Sequence, residues 1–178
     1  MNNVGENFFS SPIDPGDLSK DWGRSDDDQR HRLGVDGAGS SSSEPARTLW
    51  EYLSHGFQLG AMMQAYSAVP FNITSGVTTV QGTAGRPLVN GAFIERNAGV
   101  GSRFFNLNAR LTRTIRTGGS SQIDAIAEVF NLTNRVNPIT RNTTFGSGAY
   151  PASPLPTFNQ ITAVGDPRTW QFAVRVRF

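Results

Sequence analysis

The sequence predicts an all-β chain, a segment of an antiparallel transmembrane β-barrel with about five long strands. Three observations carry that expectation. Stretches spread along the chain alternate apolar and polar residues at period two, the pattern of a strand with two unlike faces. Each lies near the ~9–11 residues with which a tilted strand crosses a bilayer, whereas ordinary globular strands peak at about five or six. The polar faces hold arginine, aspartate, glutamate and asparagine in mid-strand. Such residues suit the wet inner wall of a barrel and are out of place in a dry sandwich core.

In chain order, QRHRLGVDG (29–37) comes first and is the weakest, with Leu33 and Val35 facing away from Arg30, Arg32 and Asp36. GFQLGAMMQAY (56–66) sets Phe57, Leu59, Ala61, Met63 and Ala65 against Gln58, Gly60, Met62, Gln64 and Tyr66. FFNLNARLTRTI (104–115) sets Phe105, Leu107, Ala109 and Leu111 against Asn106, Asn108, Arg110 and Thr112. In QIDAIAEVFNL (122–132), Ile123, Ala125, Ala127 and Val129 oppose Asp124, Ile126, Glu128 and Phe130, a less clean division. TWQFAVRVRF (169–178) is the cleanest. Trp170, Phe172, Val174, Val176 and Phe178 point one way, and Gln171, Ala173, Arg175 and Arg177 the other.

The connections alternate in length. RTGGSS between the third and fourth strands is a tight glycine turn. The stretches 68–103 and 133–168 are long and rich in Gly, Asn, Pro and Thr, and with 1–27 they are expected as outer loops. The tract SSSSEPARTLWEY (40–52) is intermediate. Short turns on one rim and long loops on the other are the build of outer-membrane barrels. That rule runs the last strand from outside toward the periplasm, with Trp50 and Tyr52 near the periplasmic rim and Trp170 near the outer one. The stretches 78–93 and 156–164 are expected as hairpins within the outer loops. About five strands do not close a barrel, since bacterial single-chain barrels have an even number of at least eight.

Composition removes several classes. The 178 residues contain no cysteine, which excludes disulfide scaffolds and thiolate metal sites. Nineteen glycines, ten prolines and 17% charged residues do not describe a helical bundle. No stretch approaches the roughly 20 apolar residues of a membrane helix. The opening MNNVGENFFSS has neither a basic nor an apolar signal region, so no signal peptide is expected. Residues 1–45 hold nine acids against four bases, and residues 46–178 hold twelve arginines against five acids. These bases stand singly along apolar stretches and form no polybasic patch, so no nucleic-acid partner is expected.

The chemistry-bearing residues are sparse. Asp14, Asp17, Asp21, Asp26, Asp27 and Asp28 are acidic enough for a hard cation but lack the spacing of a calcium loop, and a solvated outer loop is the expectation. His31 and His55 sit apart, with no H-x-x-H pair for zinc. There is no G-x-S-x-G elbow, and the chain is not expected to be an enzyme. Gly99 and Gly101 lack the third glycine and the strand-to-helix setting of a nucleotide fingerprint, so they read as turn formers. The N-x-[ST] triplets at Asn72, Asn131 and Asn142 are too common a pattern to weigh. No cofactor is expected. Arg110, Asp124, Glu128, Arg175 and Arg177 form the inward set, either touching a plug or substrate or forming a salt-bridged, hydrated wall.

Several stretches together resemble the C-terminal portion of a TonB-dependent outer-membrane receptor of the Oar-like barrel type. They are DWGRSDDDQRHRLGVDG (21–37), GFQLGAMMQAYSAVPFNITSG (56–76), FFNLNARLTRTI (104–115), AEVFNLTNRVN (127–137) and AVGDPRTWQFAVRVRF (163–178). The pairing of EVFNLTNRVN with a DPR-headed final strand ending in phenylalanine is the most specific part. The resemblance implies a bacterial outer-membrane location and energy-coupled import of a large ligand, or surface adhesion. It implies as partners outer-membrane lipid, the rest of the barrel and its plug, and the TonB energising complex acting through N-terminal regions outside this sequence. It also gives Phe178 a role as a terminal signal for the outer-membrane assembly machinery. On this expectation the segment is not transport-competent alone. The rival reading is a soluble β-sandwich module whose arginine-bearing face binds an acidic glycan or nucleic acid.

Overall fold

The computed structural model describes residues 12–42, 44, 47–79, 81–118 and 121–178. The chain is all-β and mostly antiparallel, with 46% strand and 6% helix among the described residues. In order its strands are β1 (Arg32–Ser40), β2 (Phe57–Tyr66), β3 (Pro70–Phe71), β4 (Leu88–Val89), β5 (Ala92–Phe93) and β6 (Gly99–Val100). There follow β7 (Phe104–Gly118), β8 (Ser121–Phe130), β9 (Pro138–Arg141), β10 (Ile161–Val164) and β11 (Thr169–Arg177). A single α-helical turn and a half, α1 (Leu49–Ser54), lies between β1 and β2.

The long strands form one open, five-stranded sheet in the order β1-β2-β7-β8-β11, a meander that follows the chain. Each coincides with one of the five alternating stretches. The largest difference is at β1, which starts at Arg32 and runs to Ser40. Gly34, Gly37 and Gly39 carry no side chain, so only Leu33 and Val35 marked its apolar face and the pattern faded before the strand ended. β7 likewise runs past Ile115 to Gly118, through the alternating RTG that joins the tight turn.

The registers fix the faces. β7 pairs β8 antiparallel from Ala109↔Val129 to Gly118↔Ser121, with one irregularity between Arg116 and Gly118. β8 pairs β11 antiparallel from Thr169↔Phe130 to Arg177↔Gln122 without a break. Because side chains alternate with period two, a one-residue slip would exchange the two faces. At the other side of the meander, Ser41 N donates to Phe57 O at 2.8 Å and Gly56 N to Ser42 O at 2.9 Å, which turns β2 back along β1. Thr114 N donates to Gly56 O at 2.8 Å, bringing the start of β2 to the end of β7. Gly56 has φ +78°, and a Cβ there would stand 2.3 Å from the Thr114 carbonyl oxygen, so glycine is required twice over.

Helix α1 exists because its start is capped. The Thr48 hydroxyl accepts from Glu51 N at 3.2 Å. The Glu51 carboxylate accepts in return from Thr48 N at 3.2 Å and from Arg47 N at 2.6 Å. This reciprocal T-x-x-E capping box satisfies donors that a short helix leaves open.

The chain divides into two compact units. The sheet unit comprises Arg32–Ala65, Phe104–Val136 and Asp166–Phe178. The other comprises the described parts of Met1–His31, Tyr66–Arg103 and Asn137–Gly165, drawn from the three stretches expected as outer loops. It has a small core of its own in which Ile13, Ile73 and Phe145 are buried. The Phe145 ring meets those of Tyr150 and Phe158 with centroids at 5.0 and 5.2 Å. Within it, β4 and β5 form a hairpin inside 78–93. β10, inside 156–164, pairs antiparallel with β9. The third two-stranded pair is β3 with β6.

Candidate functional site on the polar face of the sheet

Residues directly opposite in an antiparallel ladder share a face. On one face the rows across β7, β8 and β11 are Arg110–Glu128–Gln171, Thr112–Ile126–Ala173, Thr114–Asp124–Arg175 and Arg116–Gln122–Arg177. All five of Arg110, Asp124, Glu128, Arg175 and Arg177 therefore lie on this one face. Arg110 Nη1 is 3.3 Å from Glu128 Oε1. Asp124 is 2% exposed and is the centre of the cluster. It accepts from the Thr114 hydroxyl at 2.8 Å. Its other oxygen accepts from Arg177 Nη2, although Arg175 is the residue directly opposite it. The ion pair thus runs along the diagonal of the ladder, which long side chains can span. Ile126 stands on the same face and is buried, which accounts for the uneven alternation in the fourth stretch.

The other face is apolar and open. Its rows are Ala109–Val129–Trp170, Leu111–Ala127–Phe172, Arg113–Ala125–Val174 and Ile115–Ile123–Val176. Phe172 is 74% exposed and Val174 72%. The Trp170 and Phe172 rings lie parallel within 6°, with centroids 6.3 Å apart along the strand. Arg113 is the one charged side chain in these rows, and the sequence reading assigned it to neither face. Phe178, the assembly-signal candidate, is 97% exposed at the end of the last strand.

Sequence reasoning missed a polar joint built from Asn131. This residue is 5% exposed and has φ +51°, a left-handed conformation that asparagine tolerates. Its Nδ2 donates to Arg135 O at 2.9 Å and to Asp166 O at 3.0 Å. Its backbone N donates to Asn108 Oδ1 at 3.0 Å, and its Oδ1 accepts from Arg135 N at 3.1 Å. Three residues on, Asn134 Oδ1 accepts from Arg168 N at 3.1 Å. FNLTNRV and DPR, two separate sequence stretches, are thus hydrogen-bonded to one another. The N-x-[ST] triplet at Asn131 has this buried role.

The expected solvated acidic loop is corrected at one residue, Asp21, whose carboxylate is largely buried in the second unit. Asp21 Oδ1 lies 3.1 Å from Arg86 Nη2, with the two side chains 13% and 1% exposed. Burial lowers the Arg86 pKa, and the neighbouring Asp21 opposes that change. Asp26 pairs Arg96 at 3.1 Å and also accepts from Asn97 Nδ2 at 2.6 Å. Asp14 binds Lys20 at 2.6 Å on the surface. Among the described residues no three His, Cys, Asp or Glu side chains gather to hold a metal ion. His55 Nδ1 lies 3.1 Å from Glu44 O.

Gly99 and Gly101 serve close approach. A Cβ on Gly99 would stand 2.6 Å from the Phe71 ring, and one on Gly101 2.6 Å from Val69 O. No helix among the described residues is long and apolar enough to cross a membrane. No protein family, curated protein or solved structure matches the chain.

Proposed function

We propose that this chain is a length of wall from a TonB-dependent outer-membrane receptor of the Oar-like type, in the bacterial outer membrane. In this reading its apolar face meets lipid and its polar face meets water. The observation that carries the proposal is the separation of the two faces across β7, β8 and β11. Apolar side chains stand exposed on one, and a carboxylate–arginine network covers the other. A β-sandwich module would bury one face against a second sheet. The roughly three-quarters exposure of Phe172 and Val174 favours the membrane wall instead.

Arg110, Asp124, Glu128, Arg175 and Arg177 then line the lumen, where the Arg110–Glu128 and Arg177–Asp124 pairs brace a hydrated wall beside a plug. The receptor's energy-coupled movement belongs to the plug and the TonB complex, and this segment contributes the passage and the stretches expected as outer loops. Phe178 ends the last strand as the signal for the assembly machinery. No catalytic chemistry or cofactor enters this reading.

The test is a pair of neighbouring substitutions in β11. Val174→Arg directs a charge toward lipid and is expected to cost ~2–4 kcal/mol if it lies near the bilayer midplane. Arg175→Val, one residue along and on the wet face, is expected to be mild. Stability of the membrane-assembled protein to denaturant reads both. A silent Val174→Arg in that setting, or recovery of the chain as a compact soluble monomer, overturns the proposal.

A further inference from the structure

The apolar face of the sheet is not uniform. Between Leu111 on β7 and Phe172 and Val174 on β11, the small side chains of Ala125 and Ala127 on β8 leave a trough of about 440 Å³. Arg113 lines it. An arginine on a face otherwise composed of Ala, Val, Leu, Ile, Phe and Trp is costly in hydrocarbon unless its head reaches a polar partner.

Its surroundings hold the guanidinium in place without neutralising it. Nη2 donates to Tyr52 O at 2.7 Å. The guanidinium carbon lies 5.4 Å from the Tyr52 ring centroid and 5.0 Å from that of Phe57, within cation–π range. Among the described residues no carboxylate lies within ion-pair distance of it. Tyr52 belongs to α1, on which Leu49, Trp50 and Leu53 are also exposed, Trp50 by 81%. A short helix carrying Trp and Tyr with two leucines has the composition of a segment resting in the headgroup layer. An apolar channel, a held but unneutralised cation and an interfacial helix therefore meet at one place.

We infer that this trough is a binding site for one anionic phospholipid, with an acyl chain lying over Ala125 and Ala127 and the phosphate on the Arg113 guanidinium. The inference rests on the membrane reading above. It adds a specific lipid position to what is otherwise a general apolar surface. Leu111 and Phe172 form the walls, and the alanines are needed because larger side chains would fill the floor. Arginine suits the head better than a point charge does, since its planar fork can donate two parallel hydrogen bonds to phosphate while its face stays on the rings.

The experiment uses the full chain inserted into vesicles of phosphatidylcholine containing a minority of phosphatidylglycerol. Insertion is measured first, by protection of the sheet from added protease. The inserted protein is then extracted in mild detergent, and the phospholipid retained per chain is identified by mass spectrometry. The native chain is expected to retain phosphatidylglycerol in preference to phosphatidylcholine. Arg113→Gln is expected to reduce that preference about fivefold, the effect of one basic residue at an anionic surface. Ala125→Leu is expected to reduce total lipid retained. Arg113→Lys should keep much of the preference, and Arg116→Gln, which removes the same charge from the polar face, should leave it intact. Equal effects of Arg113→Gln and Arg116→Gln, or an inserted native chain with no preference, overturn the lipid site alone. A native chain that stays in the aqueous phase as a compact soluble monomer overturns both this inference and the membrane reading.

Discussion

Asn131 Nδ2 and the carbonyl oxygen of Asp166 are 3.0 Å apart across a sequence separation of 35 residues. That hydrogen bond joins the turn leaving β8 to the approach to β11, and the Asn134–Arg168 bond at 3.1 Å lies beside it. The stretch between them is long, and closing it costs configurational entropy that β11 alone would have to offset. Two short local bonds at its base let the last strand enter the ladder at Thr169↔Phe130 in register.

Asn131→Ala is therefore expected to destabilise the β8–β11 pairing by about 2–4 kcal/mol. The substitution removes both bonds that the buried Asn131 amide donates to the carbonyls of Arg135 and Asp166 and strains a left-handed backbone. Asn131→Asp keeps the shape and the acceptor but loses both donated bonds, and should rank with it. Hydrogen exchange of the β11 amides measures the effect. Unchanged protection of β11 in both variants would show that the joint does not hold the register.

The buried Arg86–Asp21 pair gives a second prediction. Removing one partner strands the other charge in a poorly solvated place, a change that typically costs 3–5 kcal/mol. Arg86→Met or Asp21→Leu alone should accordingly open the unit containing Ile13 and Phe145 to protease. The double variant replaces the pair with apolar volume and should recover much of the loss. Cleavage rates of the three proteins compare these outcomes directly, and a double variant as labile as either single one would contradict the account.

Glu51 supplies a pH dependence. Its carboxylate is held below the ordinary glutamate pKa, first by the hydrogen bond from Arg47 N, against a smaller desolvation effect, and further by that from Thr48 N. A folded-state pKa below the unfolded one stabilises the fold above the unfolded pKa, and that contribution is lost as pH falls through the folded value. The capping of α1 should thus persist at neutral and mildly acid pH and fail only below the usual glutamate range. An NMR titration of the Glu51 carboxyl carbon should show a midpoint lower than that of an unstructured peptide, and Glu51→Ala should abolish helical shifts over 49–54. A midpoint at the peptide value would remove the capping explanation.

The long strands were legible because their information is local. In TWQFAVRVRF each residue declares its face by its own polarity, and the register of β11 on β8 preserves that division. β1 was read three residues short at its C-terminal end because its glycines declare nothing. The loop unit was illegible for the opposite reason. Arg86 finds Asp21 65 residues away, and Asn97 finds Asp26 71 residues away. No spacing rule connects such partners. The T-x-x-E signature of α1 was present in the sequence, yet six residues are too few to establish a helical period there. Arg113 escaped notice because alternation marks a face without explaining its exception, and the Tyr52 and Phe57 rings that hold it come from another stretch.

The meander of the sheet carries a rule of parity. Strands that reverse direction at each step give an odd set of five the same polarity at both flanks, so β1 and β11 run the same way. Joined directly, those flanks would make a parallel seam, with slanted hydrogen bonds unlike any other in the sheet. A cylinder that alternates throughout must therefore interpose an odd number of further strands between β11 and β1. Three would suffice for the smallest, eight-stranded case.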